Sequence, residues 1–197
     1  MQERSIRAGF FVLCLTPFLL LLYAALTNGL GPDPAEQIMH VTGEWSLRCL
    51  ALTLLATPLR VWTGSSLPLK LRRMVGLYAF FYACMHLITF LQFFTGWSVD
   101  ALLEEIVERP YISAGFFAWL IMLPLMLTST RKIQRWMGRR WVKLHQLVYV
   151  AAIFACAHLL WQARSDIGEA LVYSAVFLLL LAWRVRRRYL SQPGQAR

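Results

Sequence analysis

Four stretches of this chain, residues 8–27, 74–99, 110–130 and 144–163, contain no Asp, Glu, Lys or Arg. A helix needs about 20 mostly apolar residues to cross the hydrocarbon of a bilayer. Backbone groups in lipid must be satisfied within the segment itself, and a helix does that. Two weaker runs complete the pattern. Residues 45–62 carry Arg48 near one end, and residues 168–188 include Arg184 and Arg186, whose stems can carry their charge to the interface. The sequence predicts an all-α, polytopic six-helix transmembrane bundle, a single domain over residues 1–197. Its helices fall at about 8–27, 45–62, 74–97, 110–130, 142–163 and 168–188. Trp45, Trp62, Trp97 and Trp141 stand near the ends of these runs, as an interfacial aromatic belt requires. The first run is too long for a cleaved signal peptide and has no small-residue cleavage site, so it reads as a spanning helix.

The net charge of +10 has two ordinary explanations, nucleic-acid binding and membrane topology. Six spans put both termini on one side, together with the 60–73 and 131–143 connections. That side holds 17 of the 20 Lys and Arg, and the opposite side holds nine of the ten acids. The expectation is therefore that both termini are cytoplasmic, which leaves a nucleic-acid role without support. The basic inner face suits anionic lipid, a phosphate-bearing cofactor or an acidic donor. The acidic outer face suits a basic protein, although solvated loops obeying the insertion rule account for both faces equally well. Residues 28–40 (NGLGPDPAEQIMH) read as a Gly/Pro-rich turn region, and 191–197 (SQPGQAR) as a disordered tail. Cys14, Cys49, Cys84 and Cys156 all lie in apolar runs and read as small core residues.

Three of the four histidines, His86, His145 and His158, lie within predicted spans. Ionisable residues in membrane helices are expensive and mark functional sites. A proton relay would want Asp or Glu nearby, and none lies in the apolar part of any predicted span, Glu169 standing at the very end of the last one. Neutral imidazole as a metal ligand fits better, and haem is the membrane cofactor that takes one or two imidazoles without carboxylates. No Cys-x-x-Cys-His occurs, so the haem would be b-type. His86 and His158 both fall in the outer half of the bilayer, so a bis-histidine haem between the third and fifth spans is expected. His145 then lies near the inner surface. Opposite it on the third helix stands Arg72, 14 residues before His86 and about 40° off the same face. The 13-residue step from His145 to His158 rotates an ideal helix by about 220°, so a kink, tilt or π-bulge is needed to turn both inward. His40, on the outer side, reads as a loop residue with a possible contact to quinol or a partner protein.

These residues resemble a known family. Gly31-x-Asp33-Pro34, His40-x-Thr42-Gly43, Thr57-Pro58-Leu59, Arg72-Arg73-x-x-Gly76-Leu77, His86-Leu87, Arg109-Pro110-Tyr111, Trp141-x-x-Leu144-His145 and His158-x-x-Trp161 occur in the order and spacing of the MsrQ (YedZ) family. This is the haem-binding membrane subunit of the protein-methionine-sulfoxide reductase system, within the ferric-reductase-like transmembrane group. The resemblance implies that His86, His145 and His158 are haem ligands. In the wider group the third helix carries two histidines 14 residues apart, where this chain has Arg72 at the earlier position. It implies haem b, one or two per chain, and FMN. It also implies electron transfer from the quinone pool or a cytoplasmic flavin reductase to a periplasmic molybdopterin enzyme, MsrP, with catalysis in that partner. The inner membrane of a bacterium is the expected location. A stand-alone ferric or cupric reductase and a transporter or structural membrane protein are the alternatives.

Overall fold

The computed structural model describes residues 2–163 and 167–190. Arg164, Asp166, Arg197 and the predicted tail 191–197 lie outside them. The described residues form α1 (Gln2–Leu26), α2 (Pro34–Thr63), α3 (Leu67–Phe90), a π-helical turn (Leu91–Thr95), α4 (Val99–Glu108), α5 (Pro110–Leu127), α6 (Arg131–Met137), α7 (Arg139–His145), α8 (Leu147–Gln162) and α9 (Ile167–Leu190), with no strand among them. Five helical stretches are long and apolar enough to cross a membrane: Glu3–Leu26, Leu67–Thr95, Pro110–Leu127, Arg139–Gln162 and Ile167–Leu190. Large apolar side chains such as Leu20, Leu26, Leu178 and Leu179 stay exposed on α1 and α9, a surface that suits lipid rather than water. The chain is a multi-pass membrane protein.

Several elements depart from the predicted boundaries. Helix α2 starts at Pro34 rather than at residue 45. The Asp33 side chain accepts from the Glu36 N–H at 2.9 Å, and Pro34 occupies the first turn, where its missing N–H costs nothing. The turn region thus shrinks to residues 27–33, and His40 sits on a helix, not in a loop. At 30 residues α2 is long enough to span, but Glu36, Glu44, Arg48 and Arg60 keep it out of the apolar set. Helix α3 begins at Leu67, so Lys70, Arg72 and Arg73 lie in its opening turns. The connection at 99–108 is helical, capped by Ser98 Oγ on the Ala101 N–H. The connection at 131–143 folds into two short helices divided at Gly138, which has φ 52°.

Side-chain contacts fix the relative directions. Ser46 Oγ donates to Ala79 O at 3.0 Å, and Gly76 lies against Thr53, so α2 and α3 run antiparallel. Tyr78 and Tyr82 donate to Phe11 O and Cys14 O of α1, so α1 runs parallel to α3. Phe117 meets Phe154 and Tyr111 meets His158, which makes α5 and α8 antiparallel. Helix α9 runs parallel to α2, joined by Arg48 to Tyr173 at 2.9 Å and by Arg184 to Thr57 at 2.6 Å. The core lies where α2, α3, α8 and α9 converge, around Cys49, Tyr82, Ala151, Ala152 and Phe177, all fully buried.

Candidate cofactor-binding histidines

The structure brings His86 of α3 and His158 of α8 together. Their ring centroids are 6.1 Å apart and the ring planes cross at 86°. Two imidazoles on opposite sides of one metal, each nitrogen about 2 Å from it, have ring centres roughly 6 Å apart. The observed spacing is therefore one at which the two imidazoles would hold a single metal ion between them.

Each ring is held by a backbone carbonyl on a neighbouring helix. His86 Nδ1 lies 3.0 Å from Met39 O on α2, and His158 Nδ1 lies 2.7 Å from Tyr111 O on α5. A carbonyl can only accept, so Nδ1 carries the proton in both rings and Nε2 keeps its lone pair. That is the tautomer a metal requires, fixed by the kind of outer hydrogen bond that orients ligating histidines.

Each carbonyl is accompanied by a glycine four residues further on. A methyl at Gly43 would stand 3.2 Å from His86 Nδ1 and Cε1. A methyl at Gly115 would stand 2.8 Å from His158 Nδ1 and 3.0 Å from Cε1. The residue at i+4 lies one turn along the same helix face as the carbonyl of residue i. Glycine there opens the path by which an imidazole reaches that carbonyl. These two glycines were not singled out as site residues from the sequence. The signal that would have found them is a glycine four residues after a candidate carbonyl in a helix facing each histidine.

His145 and Arg72 occupy a second place, a cavity of about 540 Å³ whose lining also includes Phe80, Trp141, Tyr149 and Arg184. His145 stacks on Trp141, centroids 3.9 Å apart, with Nδ1 3.2 Å from Trp141 O. The helix is interrupted at Gln146, between α7 and α8. There Gln146 N–H bonds Lys143 O and Tyr149 N–H bonds Gln146 O, both three residues back. This break resets the phase that an ideal helix would impose, so His145 and His158 both face the bundle interior. The Arg184 guanidinium lies 4.9 Å over the Tyr149 ring. Arg72, Arg73 and Arg184 thus all line one cavity whose lining contains no carboxylate.

His40 lies apart from both places, with its side chain 60% exposed. It stands 3.8 Å from Glu44 and 3.8 Å from Glu169, while Arg48 holds Glu44 at 2.8 Å. This cluster ties α2 to the start of α9, and the arginine already supplies its positive charge.

A helical membrane protein with two imidazoles paired between α3 and α8 defines a class, and residues 42–156 match the ferric reductase like transmembrane component family. Over most of its length the chain is similar to proteins named "Protein-methionine-sulfoxide reductase heme-binding subunit MsrQ". The one from Xanthomonas campestris pv. campestris (strain 8004) is 44% identical over 171 residues, 87% of this chain and 78% of that one. That from Xanthomonas axonopodis pv. citri (strain 306) is 43% identical over the same length. That from Polaromonas naphthalenivorans (strain CJ2) is 40% identical over 178 residues, 89% of this chain and 81% of that one. The chain belongs to the MsrQ family of ferric-reductase-like membrane proteins.

Proposed function

We propose that this protein is a haem b electron-transfer subunit of the bacterial inner membrane. It would pass electrons from the quinone pool or a cytoplasmic flavin reductase to a periplasmic molybdopterin methionine sulfoxide reductase of the MsrP kind. The observation that carries this reading is the pairing of His86 and His158 at ligand spacing with both Nδ1 atoms tied to carbonyls. A haem bound there supplies a reversible one-electron carrier. The residues around it fix both tautomers, exclude water through burial and keep carboxylates away, features that set the potential of such a centre. Catalysis on the sulfoxide belongs to the partner, which would dock on the acidic outer face.

The inner cavity is the second cofactor place. Three arginines, Arg72 and Arg184 half-buried and Arg73 at the edge, with no carboxylate in the lining call for an anion, and Trp141, His145, Tyr149 and Phe80 offer flat surfaces. We assign Arg72, His145 and Arg184 to a planar anionic cofactor, a second haem presenting propionates being the reading closest to the family pattern. FMN rests on the family resemblance alone and is given no residues.

We also propose that α2 crosses the bilayer as the sixth span. Its contacts with α3 run from Met39 opposite His86 to Thr53 opposite Gly76, so it traverses much of the thickness that α3 does. Both termini then lie in the cytoplasm.

The test is optical. Protein purified from cells supplied with a haem precursor should show b-type Soret and α bands on reduction with dithionite. His86→Ala and His158→Ala should each lose most of the outer haem. His145→Ala and Arg72→Ala should lower the haem-to-protein ratio separately. A colourless parent, or the same haem content in all four variants and the parent, overturns the assignment.

A further inference from the structure

A second cavity, about 450 Å³, opens on the side of the inner mouth of the bundle. Three separate elements deliver cations to it: Arg7 from α1, Lys70 and Arg73 from α3, and Arg131 from the start of α6. Leu69, Met74 and Leu77 supply an apolar wall. The acid nearest the cluster is Glu3, which pairs with Lys70. Arg73 and Arg131 have no ion pair within 4 Å among the described residues. The positive-inside rule is satisfied by cations anywhere in the cytoplasmic segments. It gives no reason for four of them, from parts of the chain far apart in sequence, to line one hollow beside leucines.

We propose that this hollow is a binding site for the phosphate of an anionic phospholipid. Its height favours a lipid over a free phosphate. Arg7 immediately precedes the uncharged run of α1, and Leu69–Leu77 forms the first turns of α3, so the site lies where headgroups meet hydrocarbon. The phosphodiester sits among the guanidiniums and the acyl chains run along Met74 and Leu77. Basic pockets between helices on the cytoplasmic side recognise anionic headgroups in this way. Leu69, Arg73, Leu77 and Gln134 also line the inner cavity, so the lipid would form part of that cavity's wall. This inference concerns the surface hollow and stands whatever cofactor the histidines hold.

The experiment is native mass spectrometry of the intact purified protein in detergent, mixed with equal amounts of dioleoyl phosphatidylglycerol and dioleoyl phosphatidylcholine. The parent should carry phosphatidylglycerol in preference. Arg73→Gln/Arg131→Gln should cut that adduct by roughly fivefold or more. Arg139→Gln/Arg140→Gln, which removes the same charge from the same face outside the hollow, should leave it unchanged. If the double variant loses helicity, Arg131→Gln alone, on an exposed short helix, replaces it with the same expected direction. Equal binding of both lipids by the parent, or equal loss in the two double variants, overturns the proposal. Displacement of the lipid by equimolar inorganic phosphate also overturns it, in favour of a free-phosphate site.

Discussion

An alanine methyl at position 115 would lie 2.8 Å from the His158 Nδ1 that bonds Tyr111 O. No real Cβ contact is that short, so the imidazole must leave its carbonyl or α5 must move away. Disturbing such an outer hydrogen bond typically lowers metal affinity by about 10- to 100-fold. At position 43 the contact is 3.2 Å, which a few tenths of an ångström would relieve. We therefore expect Gly115→Ala to lose haem, and Gly43→Ala to retain more of it, on titration of haem into apo-protein. Helix propensity pushes the other way, since Gly→Ala favours a helix by roughly 1 kcal/mol. A Gly115→Ala protein that is as helical as the parent by circular dichroism yet binds haem weakly would separate the two effects. Full haem affinity in Gly115→Ala would remove the glycine from the site. His86 and His158 are legible in the sequence because an imidazole in an uncharged run has few other uses. Gly43 and Gly115 are not, because their role exists only across a helix–helix contact.

Among the elements, α1 shows how a polar group can sit deep in the bundle without cost. Pro17 lies inside α1 and has no N–H to give. One residue later, Tyr82 Oη accepts from Phe18 N–H at 3.2 Å and donates to Cys14 O at 2.7 Å. The phenol thus bridges a helical step beside the proline and joins α1 to α3, with its own ring fully buried. Tyr82→Phe removes both bonds, each worth about 0.5–1.5 kcal/mol. The expected outcome is a lower thermal midpoint in detergent with unchanged haem per protein, because the partners of Tyr82 are Phe18, Cys14, Trp45, Tyr78 and Phe81 and not the site histidines. An unchanged midpoint would mean that α1 is held by its apolar contacts alone. Other elements carried sequence signals that a search for long apolar runs passes over. Asp33-Pro34-Ala35-Glu36 has the cap, proline and acid of a helix start, yet Gly29, Gly31 and Pro32 just before it suggest a turn. Ser98 followed by Val99, Leu102, Leu103 and Ile106 has helical spacing, and forms helix α4. The break at Gln146 has no such signal, since nothing in Leu144-His145-Gln146-Leu147 forbids a continuous helix.

For the whole molecule the decisive question is whether α2 crosses the membrane, because that alone sets which side each loop faces. Hydropathy leaves it out of the apolar set, yet its polar residues are placed to tolerate passage. Arg48 is held by Glu44 and Tyr173, and Glu36 and Arg60 lie near opposite ends of the helix. Six crossings put residues 36 and 104 outside and residues 65 and 135 inside. Five crossings that omit α2 would put residues 36 and 65 on one side and the two termini on opposite sides. The four native cysteines lie within helices, two of them fully buried, and should be silent to a charged maleimide. We expect Glu36→Cys and Glu104→Cys to label in intact spheroplasts, and Ser65→Cys and Arg135→Cys to label only after the membrane is opened. All four positions are solvent-facing, so failure to label reports sidedness rather than burial. Labelling of Glu36→Cys and Ser65→Cys from the same side would reduce the bundle to five spans. It would also leave the Met39 carbonyl that orients His86 on a helix that turns back rather than one anchored at both surfaces.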